Sequence, residues 1–369
     1  MLSLSEGSGG ALYKIGVMEG DGIGPEVVKA SIEVLRALER KLGILLFTFI
    51  PLPIGLSAFE KMGSTCPDKA MKILADCDGA VLGPVSTHAY QPDRNMPNPS
   101  ARIRKQFDLY ANLRPVRSIP GYSKFPDVDL LIVRENTEGM YADRNLFSGN
   151  GEWMIDADTV LSVRVVTRHA SERVGRMAFQ MARERNGKKH VAVIHKANVL
   201  RKGCGLFLEE CRKVKESFAD IQLDDFHIDA FAMQLILQPE TYDVIVTTNM
   251  FGDILSDEAA GLVGGLGIAP GLNAGDSFAV AQATHGSAPS IAGQNLANPI
   301  AEILSAKMLL HWLGITHHDG SLTEAASILD QAVWGVLADG QVRTPDLGGC
   351  STTQDMTDAI VSRIFATNR

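Results

Sequence analysis

The sequence has no CxxC pair and no closely spaced, even set of cysteines. Its five, at 66, 77, 204, 211 and 350, are too scattered for a disulfide scaffold. None carries a neighbour pattern that marks a nucleophile, so free thiols in a reducing compartment are expected. Positive charge is not in excess either. Against 43 Asp and Glu stand 35 Lys and Arg, a net charge of −8, and no basic patch or tail offers a footprint for nucleic acid. Residues 42–59 carry no charge, but Pro51, Pro53 and Gly55 fall within them and exclude a continuous membrane helix. A buried strand followed by a loop is expected there. The first ten residues, MLSLSEGSGG, lack the basic start and apolar stretch of a signal peptide and read as a short disordered lead. A cytoplasmic protein is expected, or one of an organelle matrix after removal of a transit segment, with no membrane partner. Repeats, low-complexity tracts and flexible linkers are also missing.

What is there is material for a core. With 369 residues and 45% hydrophobic content, the chain suffices for two packed domains or one large α/β unit. Short apolar runs at 15–18, 79–82, 129–133, 191–194 and 244–248 read as buried strands. Stretches at 25–42, 171–186, 202–218 and 300–313 have the periodicity of amphipathic helices. Their alternation points to an α/β protein with a largely parallel sheet. Three runs end in polar residues: LLIV in Arg134, Glu135 and Asn136, VAVI in His195, Lys196 and Asn198, and VIVTT in Asn249 and then Asp253. Ligand sites of parallel sheets lie beyond the carboxyl ends of strands, so one convergent polar site is expected.

Asp253 and Asp257 are four residues apart, which stacks both carboxylates on one helix face. Two acids so placed repel unless a cation or an Arg or Lys lies between them. Oxygen ligands without His or Cys suit Mg2+ or Mn2+. Asp229, just ahead of an apolar helical stretch, is a plausible third ligand. Arg102, Arg104, Arg114, Arg117 and Arg134 cluster in sequence. Arginine holds carboxylate in a two-pronged geometry, so several converging beside a metal describe a pocket for a small polycarboxylate. Tyr141 and Lys196 are candidate proton carriers, groups that work at neutral pH only beside a cation or arginines. GDGIGP at 20–25 misses the spacing of a dinucleotide fingerprint, and Pro25 interrupts it. HGSAPSIAG at 285–293 fits a loop that lets backbone approach a ligand closely.

Together these segments resemble the isocitrate and isopropylmalate dehydrogenase family of β-decarboxylating dehydrogenases. The matching pieces are GDGIGPEV (20–27), DLYANLRP (108–115), RENTEG (134–139) with Tyr141, HKANVL (195–200), IDAFAMQL (228–235), TNMFGDILSD (248–257), HGSAP (285–289), LANPIAEILS (296–305) and RTPDLGG (343–349). The resemblance implies two α/β domains around a cleft, without a Rossmann fold. Residues 1–109 with 266–369 would form the larger, cofactor-binding domain, and 110–265 the substrate, metal and dimerisation domain. It implies a homodimer with shared active sites. Arg104, Arg114 and Arg134 would bind substrate carboxylates. Asp253 and Asp257 would bind Mg2+ or Mn2+ from one chain and Asp229 from the other. Lys196, also from the partner, would help remove the hydroxyl proton, and Tyr141 would protonate the enol. His285, Gly286, Ser287, Ala288, Pro289 and Asn298, with Asn198, would hold NAD or NADP.

The implied chemistry needs these residue types. Hydride leaves the carbinol carbon for the nicotinamide, and a base takes the hydroxyl proton. The resulting β-keto acid loses CO2, a divalent cation stabilises the enolate, and an acid protonates the carbon. After HGSAP, NAD-using members carry an acid and NADP-using members often Lys-Tyr; here stand Ser290 and Ile291. RTPDLGG resembles the NAD-using members, so NAD is favoured, with weak ribose discrimination. The loop that selects substrate reads Pro97-Asn98-Pro99-Ser100-Ala101. It lacks the leucines of isopropylmalate enzymes and reverses the Ser-x-Asn order of isocitrate enzymes. Asn98 and Ser100 make it small and polar, which favours an isocitrate-like substrate. Homoisocitrate, tartrate or D-malate and 3-isopropylmalate are the alternatives. Two other classes fit less well. A regulatory isocitrate dehydrogenase subunit tends to lose the metal or proton-transfer residues, all present here. A general α/β ligand-binding protein needs no lysine, tyrosine and three acids around a carboxylate pocket.

Overall fold

The apolar runs become strands because packing covers both their faces. In the computed structural model, residues 12–91, 94–141, 145, 146, 149 and 151–367 are described. The lead at 1–10 lies outside them. The strands are β1 (Tyr13–Met18), β2 (Phe47–Pro51), β3 (Gly79–Leu82), β4 (Ala111–Arg117), β5 (Asp129–Glu135) and the hairpin pair β6 (Glu152–Asp156) and β7 (Thr159–Ser162). After these come β8 (His190–His195), β9 (Gln222–His227), β10 (Val244–Thr247), β11 (Leu272–Ala274) and β12 (Ala279–Ala281). All but β6 and β7 join one ten-stranded sheet in the order β2-β1-β3-β12-β11-β4-β5-β10-β8-β9. Val191–Ile194 and Val244–Val246 are wholly buried, as continuous apolar strands of a doubly covered sheet must be.

The helices are α1 (Gly24–Leu42), α2 (Leu56–Met62), α3 (Asp68–Leu74), α4 (Pro99–Gln106), α5 (Arg168–Arg185) and α6 (Gly203–Lys215). They continue with α7 (Ile228–Leu237), α8 (Asn249–Val263), α9 (Ile300–Thr316), α10 (Gly320–Asp339) and α11 (Thr353–Ala366). The four expected helices are α1, α5, α6 and α9. Helix α1 carries Pro25 in its first turn, where a missing N–H costs nothing, and stops at Gly43, whose φ of 74° is the left-handed cap a glycine supplies. Helices α1, α9, α10 and α11 pack together, as do α5 and α6, while α8 lies on β4 and β5. No described helix is long and apolar enough to cross a membrane. The uncharged stretch at 42–59 is strand β2, a turn and the start of α2. All five cysteines are free, and only Cys350 is exposed.

The sheet is largely parallel, with six parallel pairings, and three antiparallel ones interrupt it at its centre. Strand β4 pairs antiparallel with both β5 and β11, and β11 antiparallel with β12. The cause is the length of the connections. Neither β4–β5 nor β11–β12 has a crossover helix between its strands, and a short link can only turn the chain back.

Some apolar side chains stay outside the core. Met233, Ile236 and Leu237 of α7, Met250 and Ile254 of α8, and Trp153, Met154, Ile155, Val160 and Leu161 of the β6–β7 hairpin are all exposed. Helices α7 and α8 touch. A two-stranded hairpin is marginal alone in water, and this one pairs with no other strand among the described residues.

Candidate active site

Helix α8 begins directly after β10 and carries Asn249, Asp253, Ser256 and Asp257 at helical spacing on one face. That face meets two buried arginines. Arg134 is the penultimate residue of β5, where it lies beside Thr247 of β10. Gly252 lets the helix come this close, since a Cβ there would sit 2.6 Å from Arg134 Cγ. Arg134 Nε and Nη2 donate to Asn249 Oδ1 at 2.9 and 2.7 Å, and Nη1 donates to Asp253 Oδ1. Arg114, in β4, donates from Nη1 to Ser256 Oγ at 2.5 Å and stands 3.2 Å from Asp253 Oδ1 and 3.4 Å from Asp257 Oδ1. The Tyr141 hydroxyl donates to Asp253 Oδ2 at 3.0 Å, and the Arg134 guanidinium lies 5.7 Å from its ring centre.

The charges do not cancel evenly. Burial, then the Arg134 charge, brings Arg114 down to about 10 against the pull of Asp253 and Asp257. Burial would push Asp253 up, but Arg134 and Arg114, aided by Arg104, hold its carboxyl below the usual range. Asp257 goes the other way. Burial raises it, Arg114 only partly offsets this, and the Asp253 charge adds to the rise. The second acid is thus short of positive charge while half-exposed to solvent. Hard oxygens with that deficit suit a divalent cation. Among the described residues of one chain, no three Asp, Glu, His or Cys side chains come together as a metal site. Asp253 and Asp257 could hold such a cation together, and any third acid would come from outside this group.

Asp229 stands apart from the α8 acids. It opens α7, largely exposed, and accepts from Lys196 Nζ at 2.5 Å. That hydrogen bond, first among the causes, holds the Asp229 carboxyl below its ordinary range. Lys196 follows β8 and is mostly covered. The three polar strand ends therefore form two groups in one chain: Arg134 with Asp253, and Lys196 with Asp229.

In the loop at 97–101, Asn98 caps α4 by accepting from Ala101 N at 3.2 Å. Ser100 is buried and accepts from Gln282 Nε2 at 2.9 Å. Arg102 turns away to Asp68 and, at 2.6 Å, to the Cys66 carbonyl. Arg117 is 3.7 Å from Asp330 and lies over Trp334. Of the five clustered arginines, Arg104, Arg114 and Arg134 act on Asp253.

The glycine-rich loops at 20–24 and 285–289 lie against each other. Ile23 N donates to Ser287 O at 2.9 Å, and a Cβ on Gly22 would sit 1.9 Å from that oxygen. Ser86 Oγ donates to Ser287 Oγ at 2.7 Å. Asp21, unremarked in the sequence, ties the loop down by accepting from Leu56 N, Ser86 N and the Tyr90 hydroxyl. His285 Nε2 is buried with no hydrogen-bond partner among the described residues, and burial lowers the ring's proton affinity. Gly286 and Pro289 are exposed, and Ala288 takes a φ of 36°. Asn298 donates to Asp346 of RTPDLGG at 3.0 Å and accepts from Ile300 N at 3.0 Å. Asn198 is exposed in the turn after β8. An orphaned ring nitrogen beside open backbone suits a dinucleotide.

Beneath this loop Glu302 is fully buried. Its Oε2 accepts from Ala283 N at 2.8 Å, and its Oε1 has no hydrogen-bond partner among the described residues. Burial pushes the carboxyl up to about 8, so the folded protein holds a proton that the unfolded chain releases near its ordinary 4.5. The resulting stability is present below that lower value and is lost as pH rises through about 8. Glu302→Gln should therefore flatten the decline of stability between acid and mildly alkaline pH. Urea midpoints across that range check this, and a variant with an unchanged slope would refute it.

Sequence reasoning missed Ser256 and Asn112, which hold Arg114. Ser256 was within reach, since it shares the 3.6-residue stripe of the two acids. Asn112 was not, because its role depends on the antiparallel pairing of β4.

A family model described as isocitrate/isopropylmalate dehydrogenase matches residues 14–360. An isocitrate/homoisocitrate dehydrogenase of Thermus thermophilus is 42% identical over 355 residues, covering 95% of this chain and 98% of that protein. A 3-isopropylmalate/3-methylmalate dehydrogenase of Methanocaldococcus jannaschii is 42% identical over 96% of this chain and 99% of that one. The crystal structure of an isocitrate dehydrogenase from Methylococcus capsulatus superposes with a TM-score of 0.85 at 40% identity, covering 96% of this chain and all of that chain.

Proposed function

The chain belongs to the isocitrate/isopropylmalate dehydrogenase family, and we propose that, as a decarboxylating oxidoreductase of that family, it acts on an isocitrate-like 2-hydroxy acid with a 3-carboxylate. The observation that carries this reading is the convergence of Arg114 and Arg134, both buried, with the Arg104 charge on the acid pair Asp253 and Asp257. Fixed guanidinium forks beside one under-compensated carboxylate, Asp257, hold a polycarboxylate through a shared cation better than they hold a neutral ligand.

Asp253 and Asp257 would hold Mg2+ or Mn2+, joined by Asp229 of a second copy. When bound, the cation supplies Lewis-acid stabilisation of negative charge on the 2-oxygen. The dinucleotide, held by the 285–289 loop with Asn298 and Asn198, supplies the hydride acceptor. Arg104, Arg114 and Arg134 orient the carboxylates and keep the one that leaves beside positive charge until it departs. Lys196, as the neutral amine, takes the hydroxyl proton, and Asp229 holds the ammonium that results. Tyr141, anchored on Asp253, delivers a proton to the carbon. Asn98 and Ser100 face the third substituent.

The apolar surface supports a homodimer with shared sites. On α7, Asp229 shares a face with exposed Met233 and Ile236, and on α8 the acids adjoin exposed Met250 and Ile254. A second copy seated there would carry its Lys196 and Asp229 to the α8 acids. Strand order supports the division into 1–109 with 266–369 and 110–265, since the boundary falls between the neighbours β11 and β4.

The test is a turnover screen with Mg2+ or Mn2+ over isocitrate, homoisocitrate, 3-isopropylmalate, D-malate and tartrate, run with NAD and with NADP. Isocitrate with NAD should give the highest kcat/KM, with NADP a measurable second. Preference for 3-isopropylmalate sinks the substrate reading, and a strong NADP preference sinks the cofactor reading.

A further inference from the structure

A chain of buried amides runs from Arg114 to Ser100. Arg114 Nε donates to Asn112 Oδ1 at 2.5 Å, and Asn112 Nδ2 donates to Asn273 Oδ1 at 3.1 Å. Asn273 Nδ2 donates to Gln282 Oε1 at 3.4 Å, and Gln282 Nε2 donates to Ser100 Oγ at 2.9 Å. All five residues are buried, and the strands that carry Asn112 and Asn273 pair side by side.

The direction of this chain is forced from its first link. A guanidinium has no acceptor, so Asn112 must turn its oxygen to Arg114 and its NH2 to Asn273. Asn273 then presents its oxygen to Asn112 and its NH2 to Gln282. A second donor imposes the same orientation. Asn136 Nδ2, held by the Leu109 carbonyl at 2.9 Å, also donates to Asn273 Oδ1, at 3.0 Å. Gln282 is left with its NH2 toward Ser100. The serine oxygen accepts, and its hydrogen is not used on Gln282. Among the described residues no acceptor takes that hydrogen.

We propose that Asn112, Asn273 and Gln282 are positioning residues that polarise Ser100, so that its hydroxyl donates to the substrate's third substituent and selects an acceptor there, a carboxylate above all. The proposal rests on the reading of Ser100 as a substrate residue. It joins two parts of the pocket: the arginine that grips one carboxylate sets the polarity of the group that inspects the other end. An alkyl substituent offers this hydroxyl nothing and leaves it unpaired.

Two variants reverse the final link by different routes. Gln282→Glu places a carboxylate oxygen against Ser100, which then donates inward. Asn273→Asp cannot donate to Gln282, so Gln282 turns its NH2 to the new carboxylate and its oxygen to Ser100. Binding of isocitrate and of D-malate, which lacks the third substituent, is measured by calorimetry on the full-length protein with Mg2+. In both variants the isocitrate Kd should rise about tenfold while the D-malate Kd stays within about twofold. Adding Gln282→Glu to Ser100→Ala should weaken isocitrate binding no further. Equal weakening of both ligands, or an unchanged isocitrate Kd, overturns the relay. Tighter binding of 3-isopropylmalate than isocitrate by the unaltered protein would instead remove the substrate reading, and the relay with it.

Discussion

Asp253→Asn should abolish metal-dependent turnover, lowering kcat/KM by at least about a thousandfold. The size follows from how much meets at this one carboxylate. Oδ1 is shared by Arg134 and Arg114, Oδ2 takes the Tyr141 hydroxyl, and the proposed cation needs the same group as a ligand. Removing its charge leaves Arg134 without its ion pair and Arg114 with Asp257 alone among the described residues, both arginines being largely out of water. A loss of about 1–2 kcal/mol of stability should accompany the change, less than for a sealed pair because Asp253 is partly solvated. Mn2+ binding followed by electron paramagnetic resonance should disappear in a protein that still unfolds cooperatively. A folded variant that keeps metal and turns over within tenfold of the parent would remove Asp253 from the metal site.

This concentration of roles explains what could be read from the residues alone. The pair Asp253 and Asp257 was visible because helical periodicity is local: four residues along α8 fix which side chains share a face. Strands such as 191–194 and 244–247 were visible because burial on both faces leaves an unbroken apolar run. Arg114 was visible only as a residue type. Its place depends on β4 running antiparallel between β11 and β5, a matter of connection length that no periodicity records. The same holds for the amide chain, whose members lie up to 182 positions apart in sequence. Arg102 and Arg104 mark the limit of composition. They are two residues apart on α4, yet one faces Asp68 and the other acts on Asp253, since positions two apart on a helix do not share a face.

The largest consequence of the shared-site reading concerns two inactive proteins that should restore each other. Within one chain, Lys196 pairs with Asp229, while Asp253 pairs with Arg114 and Arg134. If a working site takes Asp253 from one copy and Lys196 from the other, a dimer of Asp253→Asn with Lys196→Met has one site that carries both changes and one that carries neither. Two-fold symmetry then gives about half of the parent's turnover per dimer, although each variant alone falls by about a thousandfold or more. Co-expression with two different affinity tags isolates the mixed dimer without relying on subunit exchange. If both groups belonged to the same copy, every site in the mixed dimer would carry one lesion and the preparation would stay as inactive as its parents. That result would break the link between the exposed stripe of α7 and the acids of α8. Adding Met233→Glu and Ile236→Glu on that stripe should separate the copies on size exclusion and remove the restored activity with them.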